Sequence, residues 1–240
     1  DLASSEECVE LAMKYPSVYA SCGYHPHEAA KAPKRYLYEL EQFHIHPKVV
    51  AIGEIGLDYY YNISDPIHQR KIFIEQLEMA ADLKLPSIVH CRDADEDVLS
   101  IIHESGNKSG VIHCFASTLN FANSILKEGF HISFTGLITF VKELEEVVKE
   151  IPLEKITVLE HNALERYKGT KMDDSTESLL NAIMSTKGLI HPILVSKISH
   201  EIYDYEVKVG VRRFWAYEWL DKKHPGEGWD KIPAIIVGLN

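Results

Sequence analysis

The chain has 240 residues, of which 45% are hydrophobic and 25% charged, and this globular composition excludes wholesale disorder. The net charge of −11 excludes a basic nucleic-acid module by bulk charge. No apolar run reaches the roughly 18 residues that a membrane span needs, so we expect no membrane partner. Four cysteines without a CxxC pair indicate reduced thiols in a cytoplasmic protein.

The first two thirds of the chain alternate between helical and strand patterns. Helices are predicted over 6–15, 34–43, 66–83, 95–103, 118–128 and 142–149, and strands over 17–22, 49–52, 86–90, 110–113, 130–134 and 156–159. Such alternation with short connections is typical of parallel βαβ units, in a barrel or in a doubly wound sheet. Polar residues recur where these strands end, which favours the barrel because its active sites gather there.

The pattern changes after residue 159. Helices are predicted over 175–187 and 211–220, and strands over 192–195, 203–209 and 233–237. The mixed order indicates a second, α+β unit. We find no internal repeat.

Four polar motifs follow the predicted strands of the first part. They read GYHPH at 23–27, GEIGLDY at 53–59, VHCRDA at 89–94 and IHCF at 112–115. One histidine at a strand end is more often a core residue than a ligand. Four motifs on successive strands converge in a parallel barrel, and one Glu with two or three His suits Zn²⁺, Mn²⁺ or a similar divalent ion. The spacing therefore predicts a metal site.

These motifs resemble the TatD family of metal-dependent deoxyribonucleases. The segments GYHPH, GEIGLDYY, FIEQLEMAADLKLPSIVHCRDA, GVIHCF and ISFTGLITF follow the family's order and spacing across roughly residues 1–160. The resemblance implies an incomplete (β/α)8 barrel of the TIM type. It also implies hydrolysis of DNA 3′ ends or similar phosphodiesters with a divalent metal, namely Zn, Mn or Mg.

The same resemblance assigns roles to individual residues. The implied metal ligands are Glu54, His90 and His113, and the implied catalytic residues are Glu54, His25, Asp58 and Arg92. Glu54 is the bridging carboxylate, and His25 lies near the substrate phosphate.

Two departures from the family pattern lower the expected activity. The family's first strand, which carries a His-x-His metal motif, would belong to about 35 residues that are absent before Asp1. Asn162 stands where the family has a metal-binding Asp. Three of the usual six ligands remain, so we expect one weakly held metal and weak nuclease activity at best.

A second polar motif lies in the last third of the chain. Gly210 is predicted between a strand and a helix, with Arg212 and Arg213 in the first helical turn. Free N–H groups at a helix N-terminus attract anions and Arg adds bidentate contacts, so the motif can bind phosphate. On charge alone, a solvated arginine pair is the simpler interpretation.

Residues 150–240 nevertheless resemble the N-terminal domain of ParB and sulfiredoxin-like proteins. The shared series is the helix ESLLNAI, then GLIHPILV, GVRRFWA and IPAIIV. The resemblance implies binding of CTP or ATP phosphates by Gly210, Arg212 and Arg213. Val211 replaces the family's Glu in this motif, which disfavours a metal-assisted triphosphate contact.

The sequence therefore predicts two domains, 1–155 and 156–240, with a boundary anywhere from 141 to 162. A natural fusion and a chain joined from fragments both fit, and the later strands can instead replace missing barrel strands in one hybrid fold. The predicted function is a metal-dependent phosphodiester hydrolase joined to a phosphate-binding module. The alternative is a non-enzymatic nucleotide- or DNA-binding protein with the barrel part as scaffold. The oligomeric state is left open.

Overall fold

The computed structural model divides the chain into two compact units, Asp1–Ser133 and Phe134–Asn240. It describes residues 1–135, 137, 141, 144, 146–158, 174–188 (backbone only for 174–177) and 191–237. In these ranges, no helix combines the length and the hydropathy that a membrane crossing requires.

The first unit is built on one parallel sheet. Its strands are β1 Ala20–Cys22, β2 Val49–Asp58, β3 Ser87–Arg92, β4 Gly110–Ile112 and β5 His131–Ile132. Each strand pairs in parallel with the next one along the chain. This unbroken order is that of a (β/α) barrel, because the strand order of a doubly wound sheet reverses at one point.

Helices alternate with the strands of this sheet along the chain, as the sequence pattern predicts. They are α1 Leu2–Lys14, α2 Tyr36–Phe43, α3 Pro66–Leu83, α4 Asp95–Ser105 and α5 Leu119–Lys127, with a 3-10 helix at Pro26–Lys31. The start of α3 is fixed by Asp65, whose side chain accepts the backbone N–H groups of Ile67 and His68 at 3.0 and 3.1 Å. Such caps satisfy N–H groups that have no partner inside the helix.

Strand β2 is longer than predicted. The sequence pattern ends it at residue 52, but pairing with β3 continues to Asp58, with a register shift between Gly53 and Ile55. Gly56 has a φ of 134°, and a Cβ there would lie 2.0 Å from the carbonyl oxygen of His90. The glycines therefore permit a close approach of β2 to β3, and Glu54 and Asp58 lie within a strand rather than in a loop.

The second unit has a mixed sheet of its own. Its strands are β6 Lys149–Pro152, β7 Ile156–Thr157, β8 Ile193–Lys197, β9 Tyr205–Val209 and β10 Lys231–Ile236, in the order β6-β10-β8-β9-β7. Helices α6 Asp174–Thr186 and α7 Val211–Lys223 accompany it. The α+β prediction is confirmed, and the described strands form two separate sheets rather than one hybrid sheet.

Two expectations near the junction differ from the structure. Residues 156–157, predicted within the last barrel strand, pair with β9 in the second sheet, because Ile156 is buried in that unit's core. The helix predicted over 142–149 lies partly outside the described residues, and β6 begins at Lys149. The division into domains 1–155 and 156–240 stays a prediction.

Candidate metal centre

Three side chains meet toward the carboxyl ends of β1, β2 and β3. His25 follows β1, Glu54 lies in β2, and His90 lies in β3. One donor atom from each lies within 4.8 Å of the other two, and all three residues are half-buried. Nitrogen and carboxylate donors in this arrangement suit a divalent transition metal. The residues present therefore fit the metal that the sequence predicts.

A buried carboxylate fixes the orientation of His90. The Asp58 side chain is 1% exposed, and its Oδ2 lies 3.0 Å from Nε2 of His90 and 3.0 Å from Nε2 of His27. Its Oδ1 accepts the backbone N–H of Tyr61 at 2.9 Å. Both ring nitrogens of His90 thus face carboxylates, because its Nδ1 lies 3.2 Å from Oε1 of Glu54. A carboxylate behind a histidine is the usual second layer of a metal site.

The electrostatics of the cluster favour ionised carboxylates. The hydrogen bond with His90 lowers the pKa of Glu54. Burial acts to raise the pKa of Asp58, but the bonds from Tyr61, His27 and His90 lower it overall. Burial acts to lower the pKa of His90, and its bonds with the two carboxylates outweigh that effect and raise it.

His25 differs from His90 in its hydrogen bonding. Its Nδ1 accepts the backbone N–H of His27 at 3.2 Å. That bond selects the neutral tautomer with its proton on Nε2, so Nε2 is a hydrogen-bond donor. Burial, with the nearby charge of His90, lowers the pKa of His25 to about 4. His25 is therefore a neutral hydrogen-bond donor at neutral pH, and neither of its ring nitrogens is free to bind a metal while the bond from His27 is kept.

The other predicted residues of this site lie around the cluster. Arg92 ends β3 and is exposed, with its guanidinium over the rings of Tyr60 and Tyr61. His113 follows β4, is exposed, and lies close enough to contribute to the lowered pKa of Glu54. The donor cluster contains His25 in the place where the resemblance implies His113. Asn162 lies outside the described residues.

Two buried glutamines on α3 support the site, and the sequence analysis missed them. Gln69 accepts the backbone N–H of Asp58 at 2.8 Å and donates to its carbonyl oxygen at 3.0 Å. Gln76, two turns later, accepts the N–H of Tyr24 at 2.7 Å and donates to its carbonyl oxygen at 3.2 Å. The sequence does contain a signal for them, because the two amides are seven residues apart on the apolar face of a helix, where a polar side chain needs hydrogen-bond partners.

The glycine–arginine motif of the second unit has the predicted backbone geometry. Gly210, with a φ of 98°, follows β9 and precedes the first residue of α7. Arg213 is half-buried and its Nη1 donates to the backbone carbonyls of His191 and Pro192. Burial lowers the pKa of Arg213. Arg213, one of the predicted phosphate ligands, is thus bonded to the backbone just before β8.

The fold and the site define a metal-binding (β/α)-barrel protein. The family model of the TatD related DNases matches residues 1–160, so the chain belongs to this family. The model of the ParB N-terminal domain matches residues 141–240.

Individual relatives agree with this assignment. The chain is 37% identical over 162 residues to YabD, an uncharacterized metal-dependent hydrolase of Bacillus subtilis, covering 66% of this chain and 64% of YabD. It is 34% identical over 163 residues to the 3′-5′ ssDNA/RNA exonuclease TatD of Escherichia coli, covering 66% and 63%. The structure of YJJV, a TatD homologue of Escherichia coli, is 31% identical with a TM-score of 0.54, covering 56% and 53%. The chain thus spans less than two thirds of these relatives.

Proposed function

We propose that the first unit is a metal-dependent hydrolase of phosphodiester bonds that acts on DNA. The observation that carries the proposal is the convergence of His25, Glu54 and His90 beside the buried Asp58. The family membership and the names of the relatives support the reaction class.

Residues of β2, β3 and the segment after β4 would bind the metal. Glu54 and Nδ1 of His90 would hold the metal, and His113 is the third proposed ligand. When bound, a divalent ion polarises the phosphoryl group and lowers the pKa of water. With a metal bound, Nδ1 of His90 would be deprotonated, and Asp58 would keep the remaining imidazole proton on Nε2.

Two further residues act on the substrate. The Nε2 hydrogen of His25 donates to a phosphoryl oxygen, and the exposed Arg92 supplies positive charge at the edge of the site. Asp58 cannot reach the substrate because its side chain is 1% exposed, so its part is to position His27 and His90.

Metal content and nuclease activity test the proposal together. We expect stoichiometric divalent metal by elemental analysis and hydrolysis of a DNA strand with added Mn²⁺, Mg²⁺ or Zn²⁺. Glu54→Gln should remove bound metal and lower the rate at least 100-fold, because a ligand is lost. The matched control is His103→Asn, whose ring pairs with Glu128 at 2.9 Å at the surface. Nucleotide or DNA binding without metal would instead support the non-enzymatic alternative.

For the second unit, we propose phosphate binding at Gly210, Arg212 and Arg213. The strand–glycine–helix geometry at Gly210 supports this proposal. Titration of CTP and ATP with single variants separates the two arginines. Both Arg212→Ala and Arg213→Ala should weaken binding. Arg213→Ala should also destabilise the unit, because the Arg213 guanidinium donates to two backbone carbonyls. Unchanged nucleotide affinity in both variants would reject the proposal.

A further inference from the structure

Two exposed tyrosines follow β2 directly beside the metal centre. Tyr60 and Tyr61 are 59% and 54% exposed, although aromatic rings commonly lie largely buried. The Tyr61 ring lies 5.7 Å from the ring of His27, and the Tyr61 backbone N–H donates to Asp58. Tyr61 is therefore held by the same carboxylate that contacts His90.

Arg92 joins the tyrosines in one surface. Its guanidinium carbon lies 4.3 Å from the ring centroid of Tyr60 and 4.6 Å from that of Tyr61. The two rings meet edge to face, with centroids 4.9 Å apart. Cation–π attraction holds such a group together at a solvent-exposed site. We call these three side chains the Tyr60–Tyr61–Arg92 platform.

We propose that the Tyr60–Tyr61–Arg92 platform stacks an unpaired base of a single-stranded nucleic acid, whose phosphodiester lies at the metal centre. The proposal rests on the proposed hydrolase function. Tyrosine rings and guanidinium planes are the groups on which splayed-out bases stack, and every base has a π-face. A base inside a duplex has both faces covered by its neighbours, so the platform selects single strands. Arg92 also offsets the repulsion of phosphates by an acidic chain of net charge −11.

The chain contains a matched control for this platform. Tyr19 is 60% exposed, and the Lys48 ammonium lies 4.2 Å from its ring centroid. Tyr19 directly precedes β1, whereas Tyr60 and Tyr61 follow the end of β2. In a parallel sheet, the start of one strand and the end of another lie at opposite ends of the strands, so Tyr19 lies away from the metal centre. Tyr19 nevertheless has a similar exposure and a similar contact with a cation.

The test compares two hydrolysis-resistant phosphorothioate strands in the presence of Mn²⁺. One carries natural bases with one 2-aminopurine, and the other has the same length but no bases. Anisotropy of a fluorescein label gives Kd, and quenching of 2-aminopurine reports stacking. Tyr60→Leu and Tyr61→Leu should each bind the base-containing strand roughly 5- to 100-fold more weakly and quench less. The corresponding Phe variants and Tyr19→Leu should stay within about twofold of the original protein.

The outcomes separate this proposal from the proposed function. If the Leu variants bind the base-containing strand as the original protein does, or lose as much affinity for the abasic strand, the stacking proposal is rejected. Hydrolysis of an unmodified strand is measured separately with the original protein and with both Leu variants. Base-dependent binding without hydrolysis would support the platform and reject the hydrolase function. Hydrolysis at the same rate in the Leu variants and the original protein would support the hydrolase function and reject the platform.

Discussion

Asp58 links most of the residues around the metal centre. Its carboxylate accepts hydrogen bonds from His27, His90 and the backbone of Tyr61, and its backbone is held by Gln69. The site is therefore organised by a side chain that no substrate reaches. A negative charge buried in this way is stable only because each of its oxygens has a hydrogen-bond donor.

Asp58→Asn should weaken metal binding while the fold is kept. The amide has one acceptor oxygen in place of two, so it cannot hold both imidazoles and the Tyr61 N–H together, and the ring of His90 is no longer fixed with Nδ1 toward Glu54. Loss of such a supporting group typically lowers metal affinity 10- to 100-fold. Competition with a chromophoric chelator measures the affinity.

The control for this change is Glu128→Gln, which removes a carboxylate that also pairs with a histidine, His103, but at the surface. Equal metal affinity of the Asp58 variant and the original protein would contradict a positioning role. Circular dichroism confirms that both variants are folded.

At the residue scale, the sequence predicted which residues converge better than it predicted their partners. Motif spacing along parallel strands predicted that these motifs converge, because their strand ends share one edge of the sheet. The ligands it named were Glu54, His90 and His113, whereas the cluster among the described residues contains Glu54, His90 and His25. The tautomer of His25 depends on a turn after β1 that has no pattern of its own. The contacts of Gln69 depend on packing of α3 against β2, which residue type alone does not reveal.

Among the elements, β2 has the tightest backbone packing. Its pairing with β3 continues through Gly53 and Gly56 to Asp58, which places the carboxylates at fixed positions along one strand. The sequence indicated a strand only where the residues were continuously apolar. The glycines interrupted that pattern, although the close approach of two strands required them.

Gly56→Ala should strongly destabilise the first unit. A Cβ there would lie 2.0 Å from the carbonyl oxygen of His90, and the φ of 134° is strained for any side chain. We expect a loss of about 3 kcal/mol or more in the free energy of unfolding, or insoluble protein. Gly106→Ala is the matched control, because its φ is also positive, at 67°, but no atom lies within 4 Å of the added Cβ. Gly106→Ala should lower the free energy of unfolding by only about 1–2 kcal/mol. Equal losses for the two variants in urea unfolding would contradict the steric argument.

Helix α7 carries a half-buried carboxyl group that predicts a pH effect. Burial raises the pKa of Glu218, and Lys222 opposes this only in part. The native state then binds the Glu218 proton more tightly than the unfolded state does. The free energy of unfolding therefore falls as the pH rises from 4.5, the ordinary value, through the raised one.

Glu218→Gln should reduce this dependence and stabilise the second unit at pH 7, by up to about 1 kcal/mol. Part of the slope should remain, because burial also raises the pKa of Glu150 in β6. The difference from the original protein should shrink below pH 4.5. Urea titrations followed by tryptophan fluorescence measure both quantities. Asp221→Asn on the same helix removes one negative charge but leaves Glu218, so it should keep the slope. A slope as steep in the Glu218 variant as in the original protein would assign the pH dependence to another group.

At the scale of the whole molecule, each unit has its own sheet and its own buried residues. Cys22 and Leu40 lie in a core cluster of the first unit, and Ile193, Leu220 and Ile232 lie in that of the second. The sequence predicted two parts from the change in pattern after residue 159. It could not locate the division, because residues 149–157 have a strand pattern that fits either sheet, and only pairing partners decide between them.

The metal should stabilise the two units unequally. The proposed ligands all lie in the first unit, whereas the three tryptophans are Trp215, Trp219 and Trp229 in the second. A ligand that binds only the folded state at 100 times its Kd adds about 2.7 kcal/mol to the free energy of unfolding. Added Zn²⁺ or Mn²⁺ should thus raise the melting temperature of the first unit by roughly 5–15 °C.

Hydrogen–deuterium exchange assigns this change to peptides from residues 1–133, while the transition seen by tryptophan fluorescence should not move. EDTA should reverse the effect and Glu54→Gln should abolish it. An equal shift of the tryptophan transition would show instead that the two units unfold together, and no shift in either would exclude the metal site.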